Sequence, residues 1–252
     1  MQKLKLVFFI LISFFITTNI VTTYSYANVV KGKCYEVYDP NEKLNRTFTT
    51  FNFILYRAII YPPVALYNKA TPKWTQNRVN NFFDHLRLPL TLINNLLQKD
   101  RDGASDTIGR FLVNTIFGLG GLFDVASKFD IPHKPQNFSS TLAHYGMAYG
   151  SYSVTPFFGP STTRGTIGQL VDFITDPMHW VLLGFYDELY VVPLYDIVTG
   201  IDTISRYNDM VIEYTGSSID PYTKIRSTYI QYLANKNPHC KDSQAIDYSL
   251  EE

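Results

Sequence analysis

Charge is scarce in this chain: 17% of its 252 residues are Asp, Glu, Lys or Arg, below the roughly 25% usual for globular domains. The 22 basic and 22 acidic side chains cancel. No basic cluster supplies the positive face that nucleic-acid phosphates need. Two cysteines are too few to build a disulfide-stapled mini-domain. The five histidines, His85, His133, His144, His179 and His239, lack the i, i+4 pair with an intervening Glu of a zinc hydrolase helix. There is no Gly-x-Ser-x-Gly nucleophile elbow. Ser140 or Ser151 with His144 and Asp172 makes a triad in composition only, since any chain of this length offers such trios and real ones are recognised by geometry. In Gly118-Leu119-Gly120-Gly121 the dinucleotide fingerprint fails, because position 123 is Phe and no buried strand precedes the run. Asp100 and Asp102 flank Arg101 without the spacing of a calcium loop. These absences argue against an enzyme, and no metal or cofactor is expected.

What the chain has in excess is aromatic side chain: 15% of residues, from 18 Phe, 19 Tyr and 2 Trp, within a hydrophobic content of 46%. That content suffices for a core and excludes disorder over most of the length. Tyr and Trp favour membrane interfaces, where the ring is in an apolar setting and the polar tip stays wet. The composition therefore points to a membrane-associated protein.

Lys3 and Lys5 precede an apolar run from Leu6 to Ile16, and a polar stretch leads to Ser25-Tyr26-Ala27. This is the order of a secretory signal peptide, residues 1–27, with cleavage expected between Ala27 and Asn28; the alternative is an uncleaved anchor, for which Leu6 to Val21 is short. Beyond it no apolar run approaches the roughly 20 residues that span a bilayer. Export places Cys34 and Cys240 in an oxidising compartment, where they either pair across the ends of the mature chain or remain free thiols. Val30-Lys31-Gly32-Lys33, which precedes Cys34, is charged where a lipobox is apolar, so the chain is not expected to be acylated there.

After a short segment, residues 28–38, helical signals dominate. Asp39-Pro40-Asn41-Glu42 reads as an N-cap, an N1 proline and an N3 glutamate. Leu44, Phe48, Phe51 and Leu55 then form one apolar stripe, beside a polar one of Asn45, Thr49, Asn52 and Tyr56. Pro62-Pro63 is expected to end this helix. Thr71-Pro72 opens a second, with Val79, Phe82, Phe83 and Leu86 as its buried face. Pro89 interrupts, and Leu90, Ile93, Leu96 and Leu97 continue the stripe to a turn at Lys99–Gly103. Ala104, Ile108, Phe111, Leu112 and Ile116 resume helical spacing before the glycine-rich break. Residues 131–160 read as loop, and three helices follow: one from 161 or 162 to about 176, one through Leu194 to Val211, and one opened by Asp220-Pro221. Residues 237–252 form a polar, acidic tail. The expectation is an all-α single domain of amphipathic helices over 39–236, without repeats.

Several blocks stand in a telling order: Asp39-Pro40, Asn45-Arg46, Phe51-Asn52-Phe53, the run from Arg110 to Ala126, Ser140-Thr141-Leu142-Ala143-His144-Tyr145-Gly146, Pro156-Phe157-Phe158-Gly159, Thr163-Arg164 and Asp220-Pro221-Tyr222. In them the chain resembles the MlaA (VacJ) family over nearly all of its mature length. The resemblance implies a ring of helices around a lipid channel, seated in the inner leaflet of the Gram-negative outer membrane beside trimeric porins. Such proteins do no covalent chemistry. They pass misplaced outer-leaflet phospholipids to a periplasmic carrier of the MlaC type for return to the inner membrane, which maintains lipid asymmetry. By the same resemblance Phe51, Asn52, Gly118, Gly120 and Gly121 match regions that shape or gate the channel, while His144 and Arg164 match motifs without an assigned role. Family members are commonly acylated, and the missing lipobox sets this chain apart. A periplasmic lipid hydrolase and a structural outer-membrane protein are the competing readings.

Overall fold

The computed structural model describes residues 37–185, 190–216 and 219–236, with the backbone alone for 207–216 and 235–236. Cys34, Cys240, Ala27 and Asn28 lie outside the described residues, and with them the signal-cleavage and disulfide readings. The described chain is helical apart from one hairpin. It divides into two compact units, neither of them a continuous stretch: one takes residues up to Thr50, Ala148–Gly165 and from Ser218 onward, the other Phe51–Met147 and Thr166–Ser217.

The first unit is built around α1 (Glu42–Leu55), the antiparallel strands β1 (Tyr152–Thr155) and β2 (Gly159–Thr162), and the last helix, α10 (Pro221–Lys236). Its core is apolar and aromatic: Val37, Tyr152, Val154, Tyr222 and Ile230, with Phe48 and Tyr229 packed against it. Tyr152 is 1% exposed and meets Tyr222 edge to face, centroids 6.1 Å apart. The strands were not expected, since Pro156 and the glycines gave residues 131–160 the look of loop; Tyr152-Ser153-Val154-Thr155 nevertheless pairs with Gly159–Thr162 because its Tyr and Val reach this core. Within the same loop-like stretch a short α6 (Phe138–His144) forms, its first turn capped by the Asn137 carboxamide, which accepts from the Ser140 N–H at 2.9 Å.

Asp39 does not cap α1, whose first backbone bond runs from the Asn45 N–H to the Asn41 carbonyl. Its carboxylate instead accepts from the Asn45 carboxamide at 2.7 Å and from the Tyr222 hydroxyl, and lies 3.6 Å from Arg226 Nε. Asn45 in turn accepts from the Val154 N–H at 2.9 Å. Arg46 donates to both oxygens of Asp220, at 3.0 and 2.9 Å, and lies over the Tyr222 ring at 4.5 Å. The family-like blocks around Asp39, Asn45-Arg46 and Asp220-Pro221-Tyr222 are thus one clasp.

The second unit contains the rest. The prolines at 62 and 63 do not end the first helical run. A π turn, Tyr56–Ile60, closes with the Tyr61 N–H donating to the Tyr56 carbonyl, and α2 (Tyr61–Ala70) follows with both prolines in its first turn. There no intrahelical N–H is required, and the wide turn keeps the preceding carbonyls clear of the proline rings. Then come α3 (Lys73–Leu86), α4 (Leu88–Leu97, with Pro89 in its first turn), α5 (Arg101–Ile116), α6, α7 (Thr163–Thr175), α8 (Pro177–Phe185) and α9 (Val191–Gly216). Asp100 caps α5, accepting from the Gly103 N–H at 2.9 Å.

Packing in this unit inverts the expected faces. In α4 the buried residues are Leu88, Thr91, Asn94 and Asn95, while Leu96 and Leu97 are exposed. In α5 they are Gly103, Ala104, Thr107, Arg110 and Asn114, spaced at helical intervals, and Ile108, Leu112 and Ile116 on the opposite side are exposed. In α3, Gln76 and His85 are buried and Phe82 is exposed. Among the described residues no helix is long and apolar enough to cross a membrane.

Candidate functional site

Buried polar side chains demand partners, and this unit supplies them from its own helices. Asn94 and Asn95, each 1% exposed, lie at the centre. The Asn95 carboxamide donates to Thr107 Oγ1 at 2.9 Å, and Thr107 donates to the Gly103 carbonyl at 2.7 Å. Asn94 accepts from the Thr141 hydroxyl at 2.7 Å and donates to the Leu90 carbonyl at 3.1 Å and to Asp172 at 3.4 Å. Asp172 also accepts from the Phe138 N–H at 3.0 Å, fixing the start of α6. Burial pushes the Asp172 carboxyl above its ordinary range, opposed by these hydrogen bonds. Asn95 Oδ1, Arg110 Nε and His85 Nδ1 are buried without a hydrogen-bond partner among the described residues.

The glycine-rich break is a closed loop braced from α5. Arg110 donates to Asp124 at 2.6 Å, to the Ile131 carbonyl at 2.6 Å and to Ser127 at 3.2 Å. Asn114 donates to Asp124 at 3.1 Å and accepts from the Ala126 N–H at 2.8 Å. The Gly120 and Gly121 N–H groups return to the Thr115 and Asn114 carbonyls, at 3.1 and 2.9 Å. Leu119, Gly120 and Gly121 have φ of 53°, 69° and 92°. A methyl on Gly118 would fall 2.3 Å from the Phe123 carbonyl oxygen, and one on Gly121 would fall 2.4 Å from His85 Cβ and Cγ; at Gly120 nothing lies within 4 Å. His85, whose pKa burial pushes down, stacks on Phe111 with centroids 5.0 Å apart. The loop carries outward Phe117 and Leu119, each 68% exposed.

Burial acts to raise the Asp124 pKa, but hydrogen bonds from Ser127, Arg110 and Asn114 outweigh it and hold the carboxyl at about 2, against an ordinary 3.8. A pKa depressed in the folded state stabilises above the unfolded value and ceases to do so as pH falls through the folded one. The stability contributed by Asp124 is therefore complete above about 4 and drains away between there and about 2. Thermal melts of the Asp124→Asn variant are expected to fall below wild type at neutral pH, with the gap closing across that window; a gap independent of pH would sink the assignment.

The expected site residues are distributed as follows. Phe51 is exposed and Asn52 half-buried in the second half of α1. Gly118, Gly120 and Gly121 share the loop after α5, and the atoms nearest a methyl at any of the three belong to neither Phe51 nor Asn52. His144 is exposed, edge to face with Tyr145. Arg164 lies over the Tyr149 ring at 4.1 Å. The hydrogen bonds do not assemble the compositional triad: Ser140 bonds Asn137, Ser151 meets the Thr163 hydroxyl at 3.0 Å, and Asp172 bonds the Phe138 N–H and Asn94, without His144 in any of these sets. The network at Asn94, Asn95, Thr107 and Thr141 was not singled out from the sequence. Its signal was a pair of adjacent asparagines in a helix that is otherwise apolar apart from Thr91.

Comparison with known proteins places the chain among relatives. Residues 37–236 match the family described as MlaA lipoprotein. The chain is 37% identical over 201 residues to a protein of Rickettsia felis, an alignment covering 77% of this chain and 76% of that one. It is 32% identical over 225 residues to the Escherichia coli protein named intermembrane phospholipid transport system lipoprotein MlaA, covering 85% and 87%. A chain solved in work on the structural basis for maintenance of bacterial outer membrane lipid asymmetry matches with a TM-score of 0.64 at 32% identity, covering 77% of this chain and 96% of that one. The word lipoprotein in these names gives no support to the expectation that Cys34 is not acylated.

Proposed function

Since the chain belongs to the MlaA family of lipoproteins, we propose that it removes mislocalised phospholipids from the outer leaflet of the outer membrane and so maintains lipid asymmetry. The observation that carries this reading is the inverted second unit, with Asn94, Asn95, Thr107, Arg110 and Asn114 inside and Ile108, Leu112, Ile116, Phe117 and Leu119 outside. A surface of that kind lies among acyl chains, its helices in the leaflet plane, without spanning the bilayer. The interior is a closed hydrogen-bonded network, and a headgroup passing through it would exchange bonds with side chains such as Asn95, whose Oδ1 has no partner among the described residues. The lipid is handed on without covalent chemistry to a soluble periplasmic carrier, and a trimeric porin flanks the protein in the membrane.

The test is expression of the full chain in a Gram-negative strain lacking its own homologue, with fractionation to confirm arrival in the outer membrane. Phospholipid exposed in the outer leaflet should return to low levels. Exposure that persists despite correct location and a compatible carrier would overturn the proposal. In the same assay Asn52→Leu, which removes a half-buried polar group from α1, is expected to impair clearance several-fold at unchanged protein level; clearance at the wild-type rate would remove Asn52 from the path.

A further inference from the structure

The turn at Thr71-Pro72 folds α2 back towards α3, and with α9 they enclose an open cleft of about 630 Å³, within the size range of small-ligand sites. Its lining includes Asn68, Lys69, Lys73, Gln76, Asn80 and Arg206, and no Asp or Glu. These cations are not equivalent. Arg206 is committed inward, donating to both Asp84 oxygens at 2.9 and 2.8 Å, to Asp202 at 2.6 Å and to the Asn80 carbonyl at 2.9 Å. Lys69 forms no hydrogen bond or ion pair among the described residues, and Lys73 has only the Gln76 carboxamide at 3.3 Å. Buried Gln76 is locked in place by the Thr71 carbonyl at 2.7 Å. Two exposed ammonium groups thus flank a cleft with a rigid polar floor.

Two further features suit the cleft to an anion that also donates hydrogen bonds. Lys73 is the first residue of α3, and Pro72 at the N-cap provides no side-chain cap, so the open N–H groups of the first turn add positive potential beside both lysines. The Oδ1 atoms of Asn68 and Asn80 are covered yet have no hydrogen-bond partner among the described residues. Rotation about the broad terminal torsion of either amide exchanges an orphaned acceptor for a contact with whatever occupies the cleft.

We infer that this cleft binds the phosphodiester headgroup of an anionic glycerophospholipid, with the phosphate between Lys69 and Lys73 and the headgroup hydroxyls on Asn68 and Asn80. The inference rests on the phospholipid-carrier reading and sharpens it to a lipid class. A zwitterionic headgroup carries its own ammonium towards the two lysines and is disfavoured by like-charge repulsion. A glycerol headgroup has no such penalty.

The full-length protein in neutral detergent, titrated with six-carbon-chain phosphatidylglycerol, phosphatidylethanolamine and inorganic phosphate in a calorimeter, tests this. Phosphatidylglycerol is expected to bind at least tenfold more tightly than phosphatidylethanolamine. The Lys69→Gln/Lys73→Gln variant is expected to lose that preference and at least tenfold in affinity, and Lys69→Arg/Lys73→Arg to keep both. Both lysines are exposed, so helicity and melting temperature should be unchanged in these variants. Inorganic phosphate competing as strongly as the lipid would make the cleft a phosphate site and overturn the inference. So would undiminished lipid binding by the glutamine variant. If the wild-type chain clears outer-leaflet lipid while the glutamine variant binds as before, the cleft assignment alone has failed; absent clearance by the wild type is the failure of the carrier reading.

Discussion

Alanine at Gly121 is expected to lower the melting temperature by about 10 °C, whereas alanine at Gly120, one residue away, lowers it by only a few degrees. Both glycines have positive φ, which costs a residue with a Cβ roughly 1–2 kcal/mol. They differ in what the methyl meets. At Gly120 it meets open space, and at Gly121 the backbone end of the His85 side chain at 2.4 Å. His85 cannot retreat, being stacked on Phe111 with its Nε2 3.1 Å from the Thr115 hydroxyl. Overpacking of that kind costs roughly 1–3 kcal/mol, and the combined cost of roughly 2–5 kcal/mol converts at about 2–4 °C per kcal/mol for a domain of this size. Trimming His85 to alanine in the Gly121→Ala background should recover part of the loss, a coupling that a double-mutant cycle measures. Equal melting temperatures for the Gly120 and Gly121 variants would show that conformational freedom, and not the close approach to His85, is what the loop requires.

The Ile108→Glu/Leu112→Glu/Ile116→Glu variant is expected to lose binding to phospholipid vesicles by well over tenfold while keeping its helical content. Full coverage of such a side chain is worth roughly 1.5–3 kcal/mol, and these three are each about half exposed. Their removal from lipid contact therefore forfeits on the order of 3 kcal/mol before any penalty for introduced charge, and glutamate is a good helix former. Flotation of detergent-purified protein with vesicles reads the effect, with Thr47→Glu/Thr50→Glu on α1 as the control for added negative charge. Unchanged flotation of the triple variant would move membrane attachment away from this face.

Several helix positions were legible in the sequence because local rules set them: Thr71-Pro72 and Asp220-Pro221 open helices, Pro89 separates two, and Gly118 follows the end of another. The sense of the amphipathic faces was not. A stripe at helical spacing records that two sides differ, not which medium each side meets, so Phe82 and Leu96 looked like core and are exposed. The π turn escaped notice because proline at an expected helix end and proline restarting a helix after a wide turn leave the same local pattern. The clasp was visible only as family-like blocks far apart in the chain, and its geometry explains why those blocks go together. The cleft has no motif at all: Asn68, Lys69 and Lys73 meet through a turn, and Arg206 arrives from α9.

The clasp also sets a clock on folding. Its bonds join residues 174, 183 and 189 positions apart, and the apolar core they enclose needs Tyr222 and Ile230 from α10. During synthesis from the N-terminus, Val37, Asp39 and Asn45 emerge first and wait for the final helix before they find partners. The helices between, with their local turns, are free to form in the meantime, since short-range contacts close faster than distant ones. A chain cut short before Pro221 carries the whole inverted helical unit but lacks Tyr222 and Arg226, with which the latch closes. Closure of the first unit therefore marks a chain that has been made to its last helix, and until then the exposed leucines and phenylalanines of an incomplete chain are open to aggregation.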